Sequence, residues 1–305
     1  IPGELLANSF SAREFVAWYN GHPDYQDVHF DLSKESVAII GLGNVAIDVA
    51  RILAKTPGEL ASSDITENAL SSLKKSQVKT IHLIGRRGPV QAAFTELEIK
   101  ELGELEDCDI EIDPADLLLS DTDKEELADE KNNKARKNLA VLESLSARSS
   151  RSKSKTIKLH FLKSPNEILG SQAVQSIELN EMKLQGRPLE QKPIATGNKS
   201  ILKCGLIFRS IGYKGSPLPG LPFNKDWGVI PNEDGRILSD NGEFLSGYYT
   251  SGWIKRGPTG VLGTNKPCSA KTVTSLLDDI SSLPRCKTPS TSLLVDLLKE
   301  RNIRV

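Results

Sequence analysis

An α/β fold built on a parallel sheet is the architecture this sequence predicts, and two stretches predict it. Residues 36–53, SVAIIGLGNVAIDVARIL, pass from a short apolar, β-branched segment through Gly41 and Gly43 into a helical pattern. The apolar face of that helix is Val45, Val49, Ile52 and Leu53. Residues 78–84, VKTIHLI, read as the next strand and end in Gly85-Arg86-Arg87-Gly88. Strand, tight glycine turn and helix make the first half of a dinucleotide-binding βαβ unit of the Rossmann type. Gly41 permits the turn, Gly43 lets the backbone approach a pyrophosphate, and Ala46 is small enough for helix and strand to pack. The helix start offers free N–H groups and a partial positive charge to phosphates. A plain βα turn with no ligand is the competing reading.

The end of the second strand chooses the nucleotide. An NAD site would place a carboxylate there against the ribose 2′-hydroxyl, whereas a 2′-phosphate calls for arginine. Arg86 and Arg87, set between glycines, can grip a phosphate through bidentate, charge-assisted bonds, so NADP(H) is favoured over NAD. A solvated basic turn is the alternative.

The chain has 305 residues, enough for one large or two ordinary domains. A net charge of −1 with 26% charged residues fits a soluble protein with no overall pull toward nucleic acid. No apolar run approaches the roughly 20 residues of a membrane-spanning helix, so no transmembrane segment is expected. Cys108, Cys204, Cys268 and Cys286 stand far apart without a CxxC pair, which argues against a disulfide framework, a zinc ribbon or a dithiol centre. Buried or incidental thiols are expected. His22, His29, His82 and His160 lack metal-ligand spacing, and His82 and His160 are expected as ordinary sheet residues. With no initiator Met before Ile1-Pro2-Gly3-Glu4, the chain reads as part of a longer polypeptide.

In order, residues 11–19 read as a helix capped by Ser11, with Phe15, Val16 and Trp18 on its apolar face and Asn20-Gly21 as its stop. Pro57-Gly58 is expected to break the chain after the glycine-turn helix. Residues 65–74 then form a helix with Asp64 as a possible cap. Residues 95–102 read as a helix and 109–112 as a strand. Residues 121–130 hold six acids and one lysine, and residues 131–163 hold ten Lys/Arg with Glu143 as the single acid. Within them, residues 144–154 contain six serines, expected as an exposed, mobile loop. This charge reversal is either a solvated helix face with a linker or a docking surface for an acidic partner. Residues 157–162 and 174–182 look like paired strands, and 201–211 like one buried strand. Beyond Pro217 the texture becomes proline, glycine and short strands at 229–230, 236–238 and 247–253, followed by helices at 260–280 and 293–301. The domain boundary is expected near 214–218.

The segment GWIKRGPTG at residues 252–260, taken with GLGNVAIDVAR and IGRRGPVQAAFT, resembles the adrenodoxin-type ferredoxin–NADP reductases. IPGE and SAREFVAWYNGHPD near the start, and RSIGYKGSPLPG at the boundary, extend the likeness over nearly the whole chain. Members of that family pass electrons from NADPH through FAD to a small ferredoxin- or adrenodoxin-type iron–sulfur protein. The resemblance implies a Rossmann-like, two-dinucleotide-binding flavoprotein architecture, with residues 1–214 as the NADP-binding domain and 215–305 as the C-terminal part of the FAD domain. It carries NADP contacts onto Leu42, Gly43, Asn44, Val45, Arg86, Arg87 and Glu98, and flavin contacts onto Trp253, Gly260, Val261 and Leu262. Trp253 would be an aromatic wall at a strand end, with the following helix dipole aimed at the reduced ring. Without the family, a core tryptophan is the commoner role, and a solvated helix carboxylate is the alternative for Glu98.

A suspected proton-relay carboxylate of the family falls on Asp48, for which a structural hydrogen bond is an equal reading. Lys100, Lys134, Arg136, Lys137, Arg148 and Arg151 are the expected dock for an acidic partner. The family's own N-terminal FAD-binding βαβ segment is missing, so FAD binding is expected of a parent protein. The resemblance implies the mitochondrial matrix, or bacterial cytoplasm as the alternative. Another two-dinucleotide flavin oxidoreductase, or an NADP-binding module without catalysis, are the competing classes.

Overall fold

The chain divides into two units, residues 1–211 and 212–305, in a computed structural model that describes residues 1–148, 152–260, 262–285, 287 and 289–303. The first unit begins with β1 (Ser9–Ser11), α1 (Ala12–Tyr19), β2 (Ser36–Ile40), α2 (Asn44–Ala54), α3 (Pro57–Ala61), α4 (Glu67–Leu73) and β3 (Thr80–Ile84). It continues with α5 (Glu96–Leu102), β4 (Cys108–Ile112), α6 (Asp121–Ala128), α7 (Asn133–Ser146) and β5 (Lys155–His160). β6 (Lys163–Leu169), β7 (Ser176–Gln185), β8 (Lys192–Lys203) and β9 (Leu206–Arg209) complete it.

Six of these strands form one parallel sheet in the order β1-β9-β2-β3-β5-β4. The pleat sends alternate residues to opposite faces. Val37, Ile39, Ile81, Leu83, Leu206 and Phe208 join the core under the helices, together with Phe15, Trp18, Ile47, Val49 and Leu53. Ala38, Ile40, Ile84 and Ile207 meet Ile168, Ile177 and Leu179 of the antiparallel β6-β7-β8 layer, and Val174 just before β7, on the other face. Burial on both sides is why these strands read as unbroken apolar runs. β2 pairs with β3 in the register Ile40↔Ile84, so both strands end level.

Ser11 caps α1, as its sequence suggests, and Glu14 completes a capping box with it. The helix α2 does end before Pro57, at Ala54, but Pro57 itself opens a new helix rather than a loop. It occupies the first turn of α3, where its missing N–H costs nothing, and Thr56 caps the helix. Thr66, not Asp64, caps α4. β5 and β7 are not paired with one another: β5 lies between β3 and β4, while β7 lies between β6 and β8. Residues 201–211 form the end of β8 and then β9, separated at Cys204 and Gly205. Ser144 and Ser146 continue α7 rather than opening a loop, and residues 149–151 lie outside the described residues.

The second unit holds β10 (Asn232–Glu233), β11 (Arg236–Leu238) and β12 (Phe244–Tyr249) in an antiparallel sheet, then α8 (Trp253–Arg256), α9 (Leu262–Asp279) and α10 (Thr291–Glu300). α9 is fastened to the sheet by Asp279. This carboxylate accepts from Arg236 Nε at 2.6 Å and Nη2 at 2.9 Å, and from the Tyr249 hydroxyl at 2.8 Å. The Arg236 guanidinium holds the Asp279 carboxyl below its ordinary range.

Cys108 and Cys204 are buried free thiols, and burial pushes each up to about 12. Cys286 lies outside the described residues. His82 and His160 stand two residues out of register on β3 and β5, so their rings meet on one face, Nδ1 of His82 lying 2.9 Å from Nε2 of His160. Burial, with His160 and Lys158 nearby, drives His82 from 6.5 to about 4, and burial also lowers His160. The unfolded chain therefore takes up these protons first, so the stability this pair gives is complete above pH 6.5 and is lost as the pH falls toward 4. Through His82 alone the chain should lose about 2 kcal/mol between pH 7 and pH 5. Urea unfolding at the two pH values measures this, and His82→Asn should flatten the difference even where it lowers stability overall.

Candidate functional site

Because β2 and β3 end in register, the glycine turn and the arginine pair leave the same edge of the sheet. Gly41 N–H donates to the Ile84 carbonyl at 2.8 Å, and Gly85 N–H donates to the His160 carbonyl at 2.9 Å. Gly41 has φ +133°, and a Cβ there would stand 2.2 Å from the Ser210 carbonyl oxygen. Gly43 differs: it caps α2 with φ −102°, and a Cβ would meet no atom within 4 Å. The space beside it is open, so a pyrophosphate can approach the backbone where the first N–H groups of α2 have no partner in their own helix.

The turn is braced from behind. The Leu42 carbonyl accepts from the Ala93 and Phe94 amides at 3.2 and 3.1 Å, and Asn44 Oδ1 accepts from the Thr95 amide at 2.9 Å. The Leu42 side chain is buried against Gly85, where a Cβ would clash with it at 2.1 Å. Val45 is half-buried on α2 beside the core. Leu42, Gly43, Asn44 and Val45 thus stand together, and residues 93–95 hold them in place. Arg86 and Arg87 are exposed just beyond β3.

Asp48 and Glu98 are brought together by Arg51, which no motif in the sequence marks. Arg51, one turn beyond Asp48 on α2, donates Nη2 to Asp48 and, at 3.1 Å, to Glu98, while Nη1 donates to Glu101. One guanidinium therefore joins α2 to α5 through three carboxylates. Glu98 is not a free solvated carboxylate. The signal lay in Asp48-x-x-Arg51 on one helix, but the partners on α5 are some fifty residues away.

The cations expected on a dock are largely engaged by backbone carbonyls. Lys134 Nζ donates to Ala93 O at 2.7 Å, and burial pulls its ammonium below the usual lysine range. Arg136 donates to Leu127, Asp129 and Glu130 carbonyls at 2.6, 2.7 and 3.0 Å. Arg148 donates to Gly103 O at 2.6 Å, and Lys137 pairs with Glu96 at 3.3 Å. Lys100 is exposed and, with Lys137 and Arg148, lines a groove of about 310 Å³ between α5 and α7. Arg151 lies outside the described residues.

In the second unit, Trp253 does not end a strand. Gly252, at φ +74°, turns the chain after β12, and Trp253 opens the short α8. It is 44% exposed and stacks on Tyr213 with centroids 5.9 Å apart. It is therefore no core tryptophan. Gly257 and Gly260, both at φ +86°, bracket Pro258 and Thr259 before α9, whose first residue is Leu262. Val261 lies outside the described residues. An exposed indole beside a glycine-bracketed turn fits the edge and face of a flat ring system. Among the described residues no group of His, Cys, Asp and Glu could hold a metal, and no helix is long and apolar enough to cross a membrane.

No protein-family model matches the chain. It is 40% identical to the mitochondrial NADPH:adrenodoxin oxidoreductase of Arabidopsis thaliana over 321 aligned residues, which cover 100% of this chain and 66% of the relative. It is 43% identical to the NADPH-ferredoxin reductase FprA of Mycobacterium tuberculosis over 286 residues, covering 92% of this chain and 60% of that protein. The solved structure of the Mycobacterium tuberculosis FprA in complex with NADPH superposes with a TM-score of 0.88 at 40% identity, covering 99% of this chain and 66% of that one. The chain thus spans 60% to 66% of the length of these relatives.

The two glycines of the turn should separate stability from binding. Gly41→Ala forces a side chain into a left-handed position and onto a carbonyl oxygen, and should cost about 3 kcal/mol or more, read as a fall in Tm. Gly43→Ala should keep the Tm of the parent chain but weaken NADP+ roughly tenfold in a calorimetric titration, because only the open approach is filled.

Proposed function

This chain belongs to the adrenodoxin-type ferredoxin–NADP reductases, and on that premise we propose that it carries the NADPH site and part of the flavin site of an FAD-dependent oxidoreductase. The acceptor we propose is a ferredoxin- or adrenodoxin-type iron–sulfur protein. One observation carries the reading: an open glycine turn and an exposed arginine pair leave adjacent, in-register parallel strands within one unit. Residues 1–214 serve as the NADP-binding domain in this proposal, and 215–305 as the C-terminal segment of the FAD domain.

When bound, the flavin supplies the conversion from a two-electron donor to a one-electron acceptor, and such chemistry needs little acid–base help from the protein. The work of the chain is binding and orientation. The α2 start and the Gly43 and Asn44 amides hold the pyrophosphate, and Arg86 and Arg87 hold the 2′-phosphate. Glu98, fixed by Arg51, lies on α5, which follows the residues that brace the turn, and serves as a further coenzyme contact. Asp48, held by the same guanidinium, orients the phosphate-binding helix ahead of any relay role. Trp253, Gly260, Val261 and Leu262 support the flavin ring.

We assign the acidic partner to the α5–α7 surface around Lys100 and Lys137. The partner-facing charge is thereby smaller than composition suggests, because Lys134, Arg136 and Arg148 are occupied by carbonyls. The compartment we propose is the mitochondrial matrix, with bacterial cytoplasm as the alternative, since aligned relatives are of both origins.

Two measurements test the reading. Arg86→Ala/Arg87→Ala should weaken NADP+ roughly 30- to 300-fold while leaving NAD+ nearly unchanged; equal losses on both coenzymes would remove the 2′-phosphate role. For the parent reductase, kcat/KM for ferredoxin should fall steadily as ionic strength rises, with the steepness reduced in Lys100→Ala. A profile flat in salt sinks the electrostatic dock.

A further inference from the structure

A cleft of about 910 Å³ in the first unit is lined by Arg87, and neither the glycine turn nor Arg51 contributes to it. Arg87 and Val90 line one wall, and Arg187 and Lys192, from the β7–β8 hairpin, line another. Arg87, Arg187 and Lys192 of the cleft are exposed, as is Arg86 beside it in sequence, and none forms a salt bridge among the described residues. The positive charge in this cleft is therefore unspent, unlike that on α7.

The hairpin tip is built under strain and clamped. Glu190 N–H donates to Arg187 O at 3.0 Å, closing a four-residue turn with Pro188 second and Leu189 third. Leu189 has φ +66°, a position that a type II turn usually gives to glycine or asparagine. A leucine persists there only when its surroundings hold it. Glu126 of α6 does so. It is 3% exposed, and its Oε1 accepts from the Leu189 amide at 2.8 Å and from Gln191 Nε2 at 2.9 Å. Its Oε2 accepts at 2.9 Å from Nε2 of Gln91, four residues after Arg87. One buried carboxylate thus ties the hairpin to the loop that carries the arginine pair. With the oxygens of Glu126 turned inward onto three donors, the cleft lining presents three cations, Arg87, Arg187 and Lys192, against one exposed carboxylate, Glu190.

We infer that Arg187 is a third cation for the 2′-phosphate of the adenosine half of NADP(H), and that Glu126 is the positioning residue that holds the hairpin where Arg187 can reach it. This rests on the reading of Arg86 and Arg87 as the 2′-phosphate site. It adds a specificity determinant from a different layer of the fold, since β7 and β8 do not belong to the parallel sheet. A phosphate gripped from two elements is fixed in position as well as neutralised.

The test is calorimetric titration of the full chain with adenosine 2′,5′-bisphosphate and with 5′-AMP, which lacks the 2′-phosphate. Arg187→Ala should weaken the bisphosphate roughly three- to tenfold and leave 5′-AMP unchanged, with Arg187→Lys recovering part of the loss. Glu126→Gln should give a smaller loss of the same selectivity by loosening the turn. Arg87→Ala serves as the reference. If Arg87→Ala loses the bisphosphate selectively and Arg187→Ala does not, the hairpin inference fails alone. If Arg87→Ala shows no selectivity either, the underlying 2′-phosphate reading fails and takes the inference with it. Equal weakening of both ligands by Arg187→Ala would overturn a phosphate contact. Should Glu126→Gln unfold, Arg187→Ala at its exposed turn still decides the cation; should it fold and bind like the parent, the clamp is overturned.

Discussion

The register of β2 on β3 is the constraint on which the rest of the first unit depends. Parallel pairing brings Ile40 level with Ile84, so the chain leaves both strands at the same height, and the residues that follow emerge side by side. A slip of one residue would turn Val37, Ile39, Ile81 and Leu83 out of the helical core and into the layer formed by β6 to β8. Two cores, one on each face, therefore hold a single register, and that register sets the phosphate-binding edge. Arg86 and Arg87 at this edge are exposed and charged, and could not have held it themselves.

Behind that edge lies a chain of ordinary hydrogen bonds. Residues 93–95 donate to Leu42 and Asn44, and the carbonyls of Ala93 and Phe94 are satisfied in turn by α7. Asn138, 1% exposed, gives Nδ2 to Phe94 O at 2.9 Å, and Lys134 gives Nζ to Ala93 O. A loop cannot be buried with unpaired carbonyls, so α7 must bring polar donors to a face that is otherwise leucine. The bracing of the glycine turn thus reaches from α2 through residues 93–95 to α7. Arg51 supplies a second, ionic link between α2 and α5.

Much of this frame could be read in the sequence because burial and turn chemistry are local. The apolar run of β2, the glycines after it, the Ser11 cap of α1 and the arginine pair all announce themselves within a few residues. The misreadings share a cause. Residue type does not fix the role of Pro57 or Trp253, and position decides: proline after the end of α2 starts α3, and a tryptophan after a left-handed Gly252 starts α8. The pairing of β7 was misassigned, because β8, residues 192–203, is mostly polar and exposed, and its ladder with β7 supplies what its side chains do not. Arg51 was overlooked because its partners on α5 come together with it only in three dimensions.

The same contrast separates the two groups of cations. Composition gives residues 131–163 ten positive side chains and residues 86–87 only two, so a count points to α7 as the anion-binding surface. The structure inverts this ranking. Lys134, Arg136 and Arg148 each donate to main-chain oxygens that burial or helix ends would otherwise leave unmet, and a guanidinium fixed on three carbonyls has few donors left for a ligand. Arg86 and Arg87 follow a strand whose own backbone needs are met by the sheet, so their side chains have no such duty. A cation is available to a ligand where the fold does not already need it. That condition is met at strand ends and hairpin tips more readily than on a helix packed against irregular chain.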